Sequence, residues 1–229
     1  MRIGIVFAMK EELAAFKAHF PSIEEKTLDG LVFYHVNHQN HDIAFVRSGV
    51  GKVNAAYTTT KLIEHIKPDV IFNSGVAGGI GQVHEGLVLG RSIVYHDVDV
   101  TSFGDYLHGQ VPGLPAQFNA DKRLLEHAVH CIGDAAYTTG TIASGDQFMT
   151  SIEPLKPTLK LYPDLLAVEM ESAAIAHVAT LAGIPFLIIR AISDQVGEPS
   201  QSEAFNTFLH QAAKKSAGLL YKMIDKPWR

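Results

Sequence analysis

Pro185-Phe186-Leu187-Ile188-Ile189-Arg190-Ala191-Ile192-Ser193-Asp194 is an almost wholly apolar run that ends on an acid. It does not alternate, so neither of its faces is left for water, and a strand of that kind belongs inside a covered, mostly parallel sheet. Helical patterns flank it. Ala174, Ile175, Val178 and Leu181 precede it, and Phe205, Phe208, Leu209, Ala212, Ala213, Leu220 and Ile224 form a closing amphipathic helix. The same alternation extends back to the beginning of the chain. Ile3–Ala8 reads as a buried strand, followed by helical spacing at Leu13, Phe16 and Phe20. Leu31–Val36 and Asp42–Val46 read as a strand pair, and Val53–Ile66 as a helix stopped near Pro68. Val70-Ile71-Phe72 reads as a short strand entering a glycine turn, and Leu87–Tyr95 as a further strand. Residues 103–118 are rich in Gly and Pro and read as loop. Leu124, Leu125, Ala128, Val129 and Ile132 make a helical stripe, while Thr138–Ala143 and Leu165–Val168 read as strands. The expected fold is α/β, one domain over residues 1–229, with three layers around a central mixed, mostly parallel twisted sheet.

Composition narrows the function. The 229 residues, 47% of them hydrophobic, suffice for one substantial core. With 19 basic and 24 acidic residues the net charge is −5, the wrong balance for a nucleic-acid binder. Cys131 is the single cysteine, which excludes an intrachain disulfide and a CxxC motif. No apolar run is long enough to cross a bilayer and none reads as a leader, so the cytoplasm is the expected compartment. Twelve histidines raise the question of a metal. There is no HExxH, and His35, His38, His41, His127 and His130 read as exposed or locally bonded. No metal or organic cofactor is expected.

In such sheets ligands bind beyond the carboxyl ends of the strands. Those ends read Ala8-Met9-Lys10-Glu11-Glu12, Asn73-Ser74-Gly75-Val76-Ala77-Gly78-Gly79, Ser144-Gly145-Asp146-Gln147-Phe148-Met149, Val168-Glu169-Met170-Glu171 and Arg190-Ala191-Ile192-Ser193-Asp194. Four of the five carry acids. Glu169 and Glu171 are two positions apart, which on a helix start sets them on nearly opposite sides, so there only one can face a given pocket. A carboxylate there could accept from two vicinal hydroxyls, as on a ribose, and the other acid could serve a helix start. Asp194 ends a buried strand, so it must be paired, with Arg190 for example, or held as an acid that can give a proton to a ligand nitrogen.

Taken in order, these segments, with Ser48-Gly49-Val50-Gly51-Lys52 and Tyr95-His96-Asp97-Val98-Asp99-Val100-Thr101, resemble the nucleoside phosphorylase/hydrolase superfamily. They look most like its bacterial 5′-methylthioadenosine/S-adenosylhomocysteine nucleosidases. The resemblance spans nearly the whole chain and implies a role for each residue. Glu12 would activate water, Glu171 would hold the ribose hydroxyls beside Met170, and Asp194 would protonate N7 of the leaving adenine. Arg190 would lie near the water and Glu171. Phe148 would stack on the base and the backbone of Met149 would read its edge. Ala77, Gly78, Glu169 and Ser193 complete the expected substrate contacts. Met9, Val50 and Phe205 would line the pocket of the 5′-thio group. Val100, Phe103 and Pro112 would reach it from a neighbouring subunit, which implies a homodimer.

Glycosidic cleavage passes through a cation-like sugar, and it suits carboxylates whose environments differ. Phosphorolysis would need a cationic clamp. Where related phosphorylases carry an arginine and a phosphate-binding serine, this chain has Asn73 and Val76, so water is the expected nucleophile. Val76 also stands where many of the nucleosidases have a serine near Asp194. The alternatives are an aminofutalosine hydrolase, a purine nucleoside phosphorylase, an AMP nucleosidase, and a nucleoside binder without turnover.

Overall fold

The structure, a computed structural model, describes residues 1–228. Its strands are β1 (Arg2–Phe7), β2 (Glu24–Leu28), β3 (Leu31–His38), β4 (His41–Arg47), β5 (Val70–Gly79), β6 (Leu87–Tyr95), β7 (Phe118–Asn119), β8 (Tyr137–Ser144), β9 (Leu165–Glu169) and β10 (Phe186–Gln195). The α-helices are α1 (Lys10–Lys17), α2 (Lys52–Ile66), α3 (Lys122–Ile132), α4 (Lys156–Leu161), α5 (Ser172–Leu181) and α6 (Gln201–Asp225). The sheet is mixed and runs β10-β6-β8-β9-β5-β1-β4-β3-β2. β5 pairs with β1 and β10 in parallel, and its last two residues pair antiparallel with β9. Strands β5, β10, β6, β8 and β9 therefore close into a ring, and β1 to β4 continue from it as an open wing. Helices α1, α3 and α6 share one apolar core, while α2 and α5 cover another.

Three elements differ from those expected. β5 does not stop at Phe72 but runs through the glycine cluster to Gly79, fully buried. Along the cluster its backbone is held by β10 throughout and by β9 at Gly78 and Gly79, so it stays extended without side-chain packing. A Cβ at Gly75 would come within 2.4 Å of the Glu12 Oε1, so glycine here serves close approach rather than a turn. β2 was not legible because its residues Glu-Glu-Lys-Thr-Leu carry no apolar alternation. It is an exposed edge strand hung on β3 through Asp29-Gly30, both at positive φ, and the Asp-Gly pair was the available signal. α6 begins at Gln201, four residues ahead of the apolar stripe. Among the histidines, His127 is buried, with its Nε2 against the Met223 carbonyl and its ring stacked on Trp228. Among the described residues no helix is long and apolar enough to cross a membrane.

Candidate active site

Glu12 stands in the first turn of α1, where its carboxylate folds back on the chain before it. Oε2 accepts from the backbone N–H groups of Ala8 and Met9 at 3.0 Å each, and Oε1 from that of Val76 at 3.0 Å. The return to the cap N–H is one half of a capping box. The group is 4% exposed. Burial pushes its carboxyl above the ordinary range, outweighing the Arg190 guanidinium and the three N–H donors that pull it down.

Arg190 is fully buried in β10, level with Gly75 of β5. Its Nη2 donates to Glu169 Oε2 at 2.6 Å, Asn73 Oδ1 at 2.5 Å and Ser172 Oγ at 2.8 Å. The ion-pair partner is thus Glu169, not Asp194. Glu169 ends β9, receives the N–H groups of Glu171 and Ser172 at the start of α5, and accepts from the Ser144 hydroxyl. Burial works to raise its carboxyl, but Arg190 and these donors outweigh it and hold it below the usual range. Of the two neighbouring acids, Glu169 takes the helix-start role, and its oxygens are committed to the protein. Glu171 is the free one. Among the described residues it accepts only from the Gly51 N–H at 2.7 Å, and burial, reinforced by the charge of Glu169, pushes it up to about 8.

This arrangement makes a stability prediction. Arg190→Met removes the cation and leaves Glu169 charged and buried, which costs about 3–5 kcal/mol. Denaturant unfolding should record that loss, and adding Glu169→Gln should recover part of it. A double variant no more stable than the single one would exclude the pair as the cause.

Asp194 lies farther along β10, past a bulge between Ile192 and Asp194 that turns it opposite Gly78. It is 5% exposed. Ser193 Oγ donates to its Oδ1 at 2.6 Å, and Gln201 Nε2 to its Oδ2 at 2.8 Å. Among the described residues, neither Val76 nor any other side chain of the glycine strand hydrogen-bonds to Asp194. Gln201 takes that part, from a helix start that carries no sequence signal of it. On β5 the Glu12–Arg190 level (Gly75) and the Asp194 level (Gly78) are three residues apart, roughly 10 Å.

A pocket at the Asp194 level gathers Gly78, Phe148, Met149, Glu169, Met170, Asp194 and Gln201. Phe148 is about half exposed, with its ring edge against Phe205 at 5.8 Å between centroids. Met9 packs partly buried against the core beside α1, and Ser193 and Ala77 lie behind Asp194, with Ser193 Oγ 3.4 Å from the Ala77 carbonyl. The structure does not bring Val50, Val100, Phe103 or Pro112 into this pocket. Val50 is half exposed, Pro112 is exposed, and Phe103 is 79% exposed. Larger surface hollows exist, one over Ala14, Ala15 and Ala18 between α1 and α6, but no buried carboxylate stands in it. Among the described residues no group of three His, Cys, Asp or Glu could hold a metal ion.

Outside the pocket, neighbouring loops are tied together by charge. Lys52 Nζ donates to both oxygens of Asp97 at 2.7 and 2.6 Å, Asp97 Oδ2 accepts from the Asp146 N–H, and Asp146 Oδ1 accepts from the Lys52 N–H. This knot joins three strand-end loops and sets the position of Gly51, hence of the bond to Glu171.

A model of the phosphorylase superfamily matches residues 2–225. The 5′-methylthioadenosine/S-adenosylhomocysteine nucleosidase of Geobacillus kaustophilus (strain HTA426) is 43% identical over 230 residues, covering 98% of this chain and 97% of its own. The nucleosidase of that name from Neisseria meningitidis, solved in complex with methylthio-immucillin-A, superposes with a TM-score of 0.92 at 34% identity, over 98% of each chain. The futalosine hydrolase of Helicobacter pylori strain 26695 superposes with a TM-score of 0.91 at 33% identity, over 98% of this chain and 97% of its own.

Proposed function

Because the chain belongs to the phosphorylase superfamily and, within it, to the 5′-methylthioadenosine/S-adenosylhomocysteine nucleosidases, we propose that it hydrolyses the N-glycosidic bond of those two adenine nucleosides, releasing adenine and the 5′-thioribose. The observation that carries the reading is the pair of buried acids on one strand register. Glu12 lies at the Gly75 level and Asp194 at the Gly78 level, with Glu171 offered between the α2 and α5 starts. That spacing leaves room for a sugar, with a water at one end and the base at the other.

The chemistry follows from the three environments. Glu12, its carboxyl raised by burial, takes a proton from the attacking water. Glu171 faces the ribose hydroxyls. Near neutral pH it sits just below its titration point, and hydroxyl donors draw it into the charged form, which faces the positive charge that develops on the sugar. Asp194 passes a proton to N7, so that adenine leaves neutral. Arg190 acts through Glu169 and Asn73 as a positioning residue: its Nη2 is held by both and its Nη1 donates to the Ile189 carbonyl, an engagement that supports water over phosphate as the nucleophile. Phe148 stacks on the base and Met149 reads its edge, with Gly78 and Met170 against the ring and sugar.

We read the whole chain as one three-layer domain acting in the cytoplasm as a homodimer. Phe103 and Val50, with Val53 and Tyr57 on the outer face of α2, are large apolar groups held in water. A second copy would cover them and bring Val100, Phe103 and Pro112 to the 5′ end of the substrate pocket.

The test is adenine release from 5′-methylthioadenosine, S-adenosylhomocysteine and aminofutalosine, each with and without phosphate. Release at full rate in phosphate-free buffer is expected. Turnover only with phosphate would replace the hydrolase by a phosphorylase, and adenine binding with no product would leave a binder.

A further inference from the structure

Gln201 is held more tightly than a helix-start side chain needs to be. It is 4% exposed, in the first turn of α6. Its Nε2 donates one N–H to Asp194 Oδ2 at 2.8 Å and the other to the carbonyl of Met149 at 2.8 Å, while its Oε1 accepts from the Gly197 N–H at 3.2 Å. Two acceptors on one side and a donor on the other fix which end of the carboxamide is nitrogen. Asp194 and the Met149 backbone are also the two groups that the proposed function assigns to the base.

We propose that the Gln201 carboxamide is a built-in surrogate for the exocyclic amine of adenine, competing with the base for the Asp194 carboxylate and the Met149 carbonyl. The inference rests on the proposed reading of the base site. A carboxamide nitrogen and the 6-amino group of adenine are chemically alike: planar, with two N–H donors and no acceptor. The amine cannot reach these two acceptors while the carboxamide holds them, so binding exchanges one pair of bonds for another and Gln201 swings out. The acceptors stay paired throughout, which avoids the penalty of two bare buried oxygens. The exchange also lowers the net affinity for the base, since part of the gain is spent on displacing Gln201. As adenine leaves, the carboxamide returns.

The test has two arms. In the first, adenine binding is measured calorimetrically for wild type and Gln201→Ala. The variant should bind adenine about tenfold more tightly, because nothing need be displaced. Unchanged or weaker binding overturns the proposal alone, and no adenine binding by either protein overturns the reading of the site with it. The second arm uses wild type only, so it does not depend on how the variant folds. The side-chain amide pair of Gln201 is followed by ¹⁵N NMR during titration and is assigned in wild type by through-bond correlation to its own backbone. Saturating adenine should move it to the shifts and rapid water exchange of an exposed glutamine. Hypoxanthine, which presents an oxygen where adenine has its amine, should leave it in place. A pair that stays put with adenine, or that is released equally by hypoxanthine, would overturn the proposal.

Discussion

Glu12→Gln is expected to slow adenine release by about 10²–10⁴-fold, the usual contribution of a positioned base, with substrate affinity changed only a few-fold. The amide cannot take the proton of water, yet it has the shape of the acid. It also meets three backbone N–H groups, from Ala8, Met9 and Val76, that now satisfy the two oxygens. Its NH₂ end must face at least one of them, so a stability loss of about 1–3 kcal/mol accompanies the loss of rate. The two effects separate by experiment. Single-turnover rates at a temperature where circular dichroism shows the variant folded report the chemistry, and equilibrium binding reports the site. In wild type the acid limb of the pH–rate profile should lie above 4.5, because burial raises Glu12 and a base is lost as pH falls through its pKa. Turnover within tenfold of wild type in the glutamine variant would remove Glu12 from the mechanism.

The second large effect is expected at Asp194→Asn, again about 10²–10⁴-fold in rate. Here the fold should be spared. An asparagine can present its oxygen to Gln201 Nε2, while Ser193 Oγ, now a donor to Asp194, can turn and accept. What is lost is the proton for N7. A substrate analogue with carbon in place of N7 gives the matching chemical test. Wild type should bind it without releasing its base, and the Asn variant should lose nothing further on it. If the variant released adenine as fast as wild type, proton donation would belong to another group.

Several parts of this site were open to reading along the chain, and others were closed to it for specific reasons. Glu12, Glu171 and Asp194 stand at or just beyond the ends of apolar strands, so the strand-end rule reached them, and the ordered segments told them apart from Glu11. Glu169 and Glu171 could be separated in role but not assigned from residues alone. That choice depends on which of them meets Arg190, a contact across β9 and β10. Gln201 gave no sign because a glutamine at a polar helix start is ordinary. Only the return of α6 over the β10 end makes it a partner of Asp194. β2 escaped because its place is set by its hairpin turn rather than by burial.

What the sequence by itself determined is the alternation of buried strands and amphipathic helices, and with it the acids at the strand ends. Both depend on local periodicity and on neighbours within a few residues. The closure of β5 onto both β10 and β9, the pairing of Arg190 with Glu169, the elevation of Glu171 to about 8 and the hold of Gln201 on Asp194 were decided only by the tertiary structure. The closure, the ion pair and the Gln201 contact join groups between 7 and more than 100 residues apart in the chain, and the elevation of Glu171 needs its burial. Hydrogen bonds and electrostatics in a buried site depend on distance and desolvation, and neither can be read before the chain has folded.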